Sequence, residues 1–231
     1  VGKTGVAVAL AEELRRRGED PVAISCDALQ VYEGLSTLTG VATAEEQAKL
    51  EHKLVGFVPV SRPFSVGDYM PLAHAEIDEA LEAGRTPIVV GGTGLYLRAA
   101  LAELSLVKVA PESEDSELWS PETRHPSMIF GLDMDRARLY EGIDARTEAI
   151  VAAGAKEEVL RAEELGPSRT ARKALGFDEL LAGDLELMKQ RSRNYARRQL
   201  SWMRKIPDLR WIDRTSRDDA TVAAEIAARC S

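Results

Sequence analysis

Cysteine is scarce in this chain of 231 residues: there are two, Cys26 and Cys230. They are too far apart to form a metal-ligand spacing, and a reducing cytoplasm is the expected setting. Histidine is also rare. His52, His74 and His125 are scattered, which suits surface or capping roles better than a metal site. No apolar run approaches the roughly 20 residues of a membrane helix, so no membrane partner is expected. No secretory signal is expected, since Val1 runs directly into Gly2-Lys3-Thr4. Apolar residues make up 45% and charged residues 29%, ordinary usage for a globular protein that buries its core without disulfide help. The length fits one large domain, or one domain with an appendage, and a monomer is expected.

The net charge of −8 argues at first against a nucleic-acid partner. Its distribution argues otherwise. Residues 168–205 hold ten Lys/Arg and four Asp/Glu, a balance of +6, which leaves −14 for the remainder. Such asymmetry describes either a basic face on an acidic body or a solvated helix with surplus arginine.

Periodicity predicts helices over 4–17, 44–54, 66–83 and 96–104, with buried strands at 21–25 and 86–90. Strands alternating with helices predict a P-loop-type α/β domain, a parallel sheet flanked by helices, over residues 1–106. Residues 107–130 read as a linker rich in Ser, Glu and Pro. Residues 131–231 read as a helical C-terminal part, with helices over 136–152, 155–165, 170–182, 185–205 and 220–229 and a last edge strand at 210–213.

Three constellations carry chemistry. Gly2-Lys3-Thr4 opening a helix is the end of a phosphate-binding loop, G-x-x-x-x-G-K-[ST], whose first glycine would lie upstream of Val1. Amides and dipole at a helix N-terminus favour a phosphate, of a diphosphate or a nucleotide. Lys3 adds a point charge, and Thr4 a hydroxyl for Mg²⁺. Asp27 follows the first strand, inside Ser25-Cys26-Asp27-Ala28-Leu29-Gln30-Val31-Tyr32. Ligands of open α/β sheets bind at that edge, so Asp27 is a base, a Mg²⁺ holder through water, or a helix N-cap. Gly91-Gly92-Thr93-Gly94 ends the second strand and lets backbone approach a ligand closely. Tyr195 and Trp202, seven apart on one helical face, read as core; Tyr32 fits substrate packing and core packing equally.

In this order and spacing, these motifs resemble the tRNA dimethylallyltransferase (tRNA isopentenyltransferase) family. The later residues agree: Gly131-Leu132, Arg136, Leu139-Tyr140, Ile143-Asp144 and Arg146; the segment from Ala174 to Leu180; and the helix from Arg193 through Tyr195, Arg197, Arg198 and Gln199 to Trp202. The resemblance spans Val1 to about Asp213. It implies transfer of a dimethylallyl group from dimethylallyl diphosphate to N6 of the adenosine 3′-adjacent to the anticodon. It implies diphosphate binding by Gly2, Lys3 and Thr4, and catalysis by Asp27, Thr93 and Arg146 with Mg²⁺ at Thr4. It further implies contact with the tRNA anticodon arm by Asp27, Ala28, Leu29, Gln30, Arg193, Arg197 and Arg198. There are two departures. Gly142 stands where the family has an arginine, and the family's helical insert ahead of the arginine helix is truncated or missing. The rival readings are an adenylate isopentenyltransferase, a P-loop small-molecule kinase, and a non-catalytic RNA-binding module.

Overall fold

The structure, a computed structural model, describes residues 2–105 and 117–230. Residues 107–116 of the expected linker therefore lie outside the described residues.

Helix α1 (Lys3–Arg16) starts from Gly2, whose φ of +80° is open to glycine. It buries Val6, Ala7, Ala11 and Leu14 on one face, the helical spacing that an apolar stripe requires. Strand β1 (Pro21–Ser25) follows, buried at all five positions. Two short helices, α2 (Ser36–Thr39) and α3 (Ala44–Lys49), lead to β2 (His52–Lys53). Helix α4 (Val66–Glu82) begins with a Ser65–Asp68 capping box and buries Tyr69, Ala73, Ile77 and Ala80. Strand β3 (Thr86–Val90) and α5 (Gly94–Leu101) complete the first half.

The second half holds β4 (Phe130–Asp133), α6 (Arg136–Ala152), α7 (Ala155–Glu164), α8 (Phe177–Ala182), α9 (Leu185–Met203), β5 (Arg210–Asp213) and α10 (Asp219–Arg229). All strand pairs are parallel. One sheet runs β2-β1-β3 and the other pairs β4 with β5. In register, Ser25 lies beside Val90. The chain therefore leaves β1 and β3 at one common edge, where Asp27 and the glycine turn begin.

Several expected elements differ. The helix expected over 44–54 stops at Lys49, because Leu50 is fully buried and the next residues pair with Ala23 and Ile24. Strand β3 is half-buried rather than buried, since an apolar cavity of about 980 Å³ lies along it. The helix expected over 170–182 is broken at Gly176, where φ is +98° and a side chain would overlap Met188. Strand β4 went unread: four residues carry too little pattern to register as a strand.

One core joins the two halves. Ile24, Cys26 and Tyr69 of the sheet side pack in the same cluster as Val159, Phe177 and Met188 of the helical side. A buried carboxylate reinforces the join. Glu158 of α7 accepts from the Thr37 and Leu38 amides at 2.9 and 3.0 Å and from the Ser36 hydroxyl at 3.1 Å. It thereby satisfies the open N-terminus of α2. Among the described residues no helix is long and apolar enough to cross a membrane.

Candidate active site

A cavity of about 530 Å³ opens at the carboxyl end of β1. Its floor is the first turn of α1, with Gly2, Lys3 and Thr4. A Cβ at Gly2 would overlap the Arg214 guanidinium, so glycine is required there by space as well as by φ. Arg214 is itself held by Asp219 at 2.8 Å, and a Cβ at Gly5 would overlap the Asp219 carboxylate.

Asp27 sits on the rim, its carboxylate accepting from the Leu29 amide at 3.0 Å. Lys3 is half-buried, close enough to feel Asp27 and Arg146. Burial pushes the Lys3 ammonium below its ordinary range, Asp27 opposes that shift and Arg146 adds to it. Burial, helped by Asp27, also lifts the neighbouring Cys26 thiol up to about 12, so it stays protonated and inert at neutral pH.

Arg146 enters from α6. Ile143, Arg146, Thr147 and Ile150 recur at helical spacing along the cavity wall, so one face of α6 supplies both a cation and apolar surface. The Arg146 guanidinium lies against Gly40, where any Cβ would overlap it. Helix α9 supplies the facing wall through Met188, Ser192, Tyr195, Ala196 and Gln199. The lining thus combines charged groups, Lys3, Asp27 and Arg146, with apolar side chains, among them Leu38, Ile150, Leu175 and Met188.

Thr93 caps the glycine turn. Its hydroxyl accepts from the Ala28 amide at 3.3 Å, joining the turns after β1 and β3. The glycines are required for different reasons. A Cβ at Gly91 would meet the Cys26 backbone, one at Gly92 would meet Gln199 and crowd Lys3, and one at Gly94 would meet Trp202. Thr93 lines the larger, more apolar cavity, which shares Lys3, Gly91, Tyr195, Ala196 and Gln199 with the first.

One cavity therefore brings together Gly2, Lys3, Thr4, Asp27 and Arg146, while Thr93 lines the adjoining cavity and meets the turn after β1 only through the Ala28 amide. Leu29 lines the same cavity, whereas Ala28 lines neither cavity and packs against the core. Gln30 lines the cavity too, but its carboxamide is engaged within the chain. It accepts from the Ser25 hydroxyl at 3.0 Å and donates to the Gly40 carbonyl at 2.9 Å. On α9, Arg197 and Arg198 are exposed. Arg193 is not free: it donates to both Asp144 oxygens at 2.6 and 2.7 Å. Tyr32 is core, fully buried and donating to the Thr170 hydroxyl at 2.6 Å. Tyr195, expected in the core, instead lines the cavity. Tyr195 and Gln199 were missed as site residues, as were Gly40 and Arg214; the first two stand four apart on α9, on the face roughly opposite Arg193 and Arg197, so those arginines gave no signal for them.

For Mg²⁺ the donor set is thin but suitable. Magnesium keeps several waters and is usually held by one or two carboxylates with substrate phosphates. Asp27 and the Thr4 hydroxyl on one cavity wall match that habit. No cluster of three His, Cys, Asp or Glu exists among the described residues that could hold an ion alone.

Fold and site together define a parallel α/β protein with a helix N-terminus, a lysine and an arginine converging on one cavity beside a carboxylate. The model of the IPP transferase family matches residues 30–125 and 111–206, and the chain belongs to that family. A tRNA dimethylallyltransferase of Rhodospirillum centenum is 34% identical over 88% of this chain and 85% of its own. One from Salinispora tropica is 30% identical over 92% and 85%. That second comparison runs over 275 positions against 231 residues, so the relative has residues with no counterpart here. Among solved structures, the tRNA isopentenylpyrophosphate transferase of Bacillus halodurans superposes with a TM-score of 0.85 at 26% identity, covering 99% of this chain and 91% of that one. A eukaryotic dimethylallyltransferase acting on tRNA shares the fold, with a TM-score of 0.76 at 18% identity over 99% of this chain and 74% of its own.

Proposed function

We propose that this chain is a tRNA dimethylallyltransferase: it moves the five-carbon group of dimethylallyl diphosphate to N6 of the adenosine 3′-adjacent to the anticodon and releases diphosphate. The observation that carries the reading is the convergence of Lys3, Asp27 and Arg146 on one cavity. The names of the relatives support it.

The adenine amine is a weak nucleophile, because its lone pair is delocalised into the ring. In the reaction the N6–C1 bond forms and the C1–O bond breaks, its electron pair leaving on the diphosphate. Lys3, the Thr4 hydroxyl and the first amides of α1 hold that growing charge. Arg146 donates to it from the opposite wall. Asp27 takes the N6 proton, help typically worth about 10²–10⁴ in rate. Mg²⁺, held by Thr4 and through water by Asp27, would neutralise phosphate charge when bound. The dimethylallyl chain packs on apolar side chains of the lining such as Ile143, Leu38 and Met188.

A stacked adenine cannot reach such a cavity, so the base is flipped from the anticodon loop. Asp27 and Leu29 then meet it on the rim, while Gln30 shapes that rim through Gly40. Arg197 and Arg198 meet backbone phosphates.

The test supplies labelled dimethylallyl diphosphate with unmodified tRNA, with AMP, or with neither but with ATP and candidate acceptors. Label in tRNA supports the proposal. Label confined to AMP, or phosphoryl transfer from ATP, replaces it; tight tRNA binding without turnover makes the protein a binding module.

A further inference from the structure

Glu158 lines neither cavity, yet its hydrogen bonds end on an element that lines the first. The side chain is buried on α7. One oxygen accepts from the Ser36 hydroxyl at 3.1 Å and the Thr37 amide at 2.9 Å; the other accepts from the Leu38 amide at 3.0 Å. Three donors of one turn are thus fixed from a different helix.

That turn, α2, is short and closed. The Val41 amide donates to the Ser36 carbonyl at 2.9 Å, and the Gly40 amide to the Thr37 carbonyl at 3.3 Å. The Thr39 hydroxyl donates to the Leu35 carbonyl at 2.7 Å. A close-packed interior transmits small displacements, so a shift of the first amides of α2 moves Gly40. Two parts of the site meet at that glycine. Its carbonyl accepts from the Gln30 amide at 2.9 Å, while the Gln30 carboxamide oxygen accepts from the Ser25 hydroxyl at 3.0 Å. Gln30 therefore ties the turn that carries Asp27 to α2. The Arg146 guanidinium also lies against Gly40, so close that any Cβ there would overlap it.

We infer that Glu158 is a positioning residue for transfer: through α2 and Gly40 it sets the spacing between the turn that carries Asp27 and the Arg146 guanidinium. This deepens the transferase reading and rests on it. Asp27 acts at N6 and Arg146 at the diphosphate, on opposite sides of the carbon that is transferred. An error of about 1 Å in such spacing costs on the order of 10²-fold in rate. Glu158 itself touches no reacting atom.

The test is single-turnover transfer of labelled dimethylallyl to tRNA, with tRNA affinity and thermal unfolding measured alongside. Glu158→Gln keeps the shape of the side chain but sets an NH₂ group against three donors. At a temperature where the variant is fully folded, it should slow transfer about tenfold to a hundredfold. Its tRNA affinity should stay within about threefold of wild type. Ser36→Ala removes one of the three bonds and leaves both amide bonds; it should slow transfer about twofold to fivefold, the scale of one hydrogen bond. Gln30→Ala cuts the tie between Gly40 and the Asp27 turn. The loss in the double variant, Glu158→Gln with Gln30→Ala, should be smaller than the product of the two single losses. A role in stability alone would lower the unfolding temperature and leave the folded variant transferring at the wild-type rate. That rate in folded Glu158→Gln, or in Ser36→Ala if the former does not fold, would overturn the inference while wild-type transfer stands. Losses that multiply in the double variant would do the same. Absence of any wild-type transfer to tRNA would overturn the transferase reading and this inference with it.

Discussion

Arg193 on α9 donates through one nitrogen to both carboxylate oxygens of Asp144 on α6, at 2.6 and 2.7 Å. The pair braces the two helices that wall the cavity, four residues from Lys189, which reaches Glu148 at 2.7 Å. Both residues of the Arg193–Asp144 pair are partly buried, so its removal leaves a carboxylate without its partner. Arg193→Ala should lower the unfolding temperature by a few degrees, matching roughly 1–2 kcal/mol for a chain of this size. Calorimetry checks it; an unchanged transition would mean the brace contributes nothing.

The exposed arginines on the same helix are expected to behave differently. Arg197 and Arg198 have no carboxylate partner among the described residues; Arg197 donates to Asn194 and Arg198 lies over the Tyr195 ring. Replacing both with alanine should weaken tRNA binding and flatten the plot of log affinity against log salt by about 1.4 for two single-strand phosphate contacts. Binding at several salt concentrations measures it. A parallel line would remove these residues from the tRNA surface.

Lys3 predicts a pH dependence. Burial lowers its pKa in the folded chain, so the ammonium is lost at a lower pH than in the unfolded chain. Affinity for inorganic diphosphate should fall as pH rises through that lowered value. Over the same window the unfolded chain binds more protons, so the free protein should gain stability with pH from this group. Lys3→Arg keeps its charge and should remove the decline. Titration calorimetry from neutral to alkaline pH decides; an identical decline in Lys3→Arg would place the titrating group elsewhere.

The glycine turn predicts a packing effect. A Cβ at Gly94 would overlap the Trp202 ring, which packs on Trp119 at a centroid distance of 4.9 Å. Gly94→Ala should destabilise the chain by about 1–3 kcal/mol, the usual cost of overpacking. Gly91→Ala should cost at least as much, since its Cβ would meet backbone of Cys26, which yields less readily than a side chain. Wild-type stability in both would contradict the close approach.

Much of this arrangement is legible in the order of residues because it is local. Apolar runs bounded by turns mark β1 and β3. Gly2-Lys3-Thr4 and Gly91-Gly92-Thr93-Gly94 sit directly against the elements that aim them, and helical spacing marks α1, α4, α6 and α9. What escapes is long-range. Gln199 bonds Gly92 across 107 positions, and nothing in the spacing of either announces the other. Tyr195 reads as core because an apolar face and a cavity wall have the same periodicity. Gln30 reads as a recognition group until Gly40, ten residues on, is seen to take its amide. The stop of α3 at Lys49 depends on β2 pairing with β1, a tertiary demand that overrides local helix preference.

The most direct measurement is single-turnover transfer by Asp27→Asn on tRNA bound beforehand. The substitution keeps the side-chain shape and an acceptor for the Leu29 amide, and removes the base. If residue 27 takes the N6 proton beside a diphosphate held by Lys3 and Arg146, labelled dimethylallyl transfer falls by about two to four orders of magnitude while tRNA affinity stays near wild type. Transfer at the wild-type rate, or equal loss of binding and transfer, would contradict it.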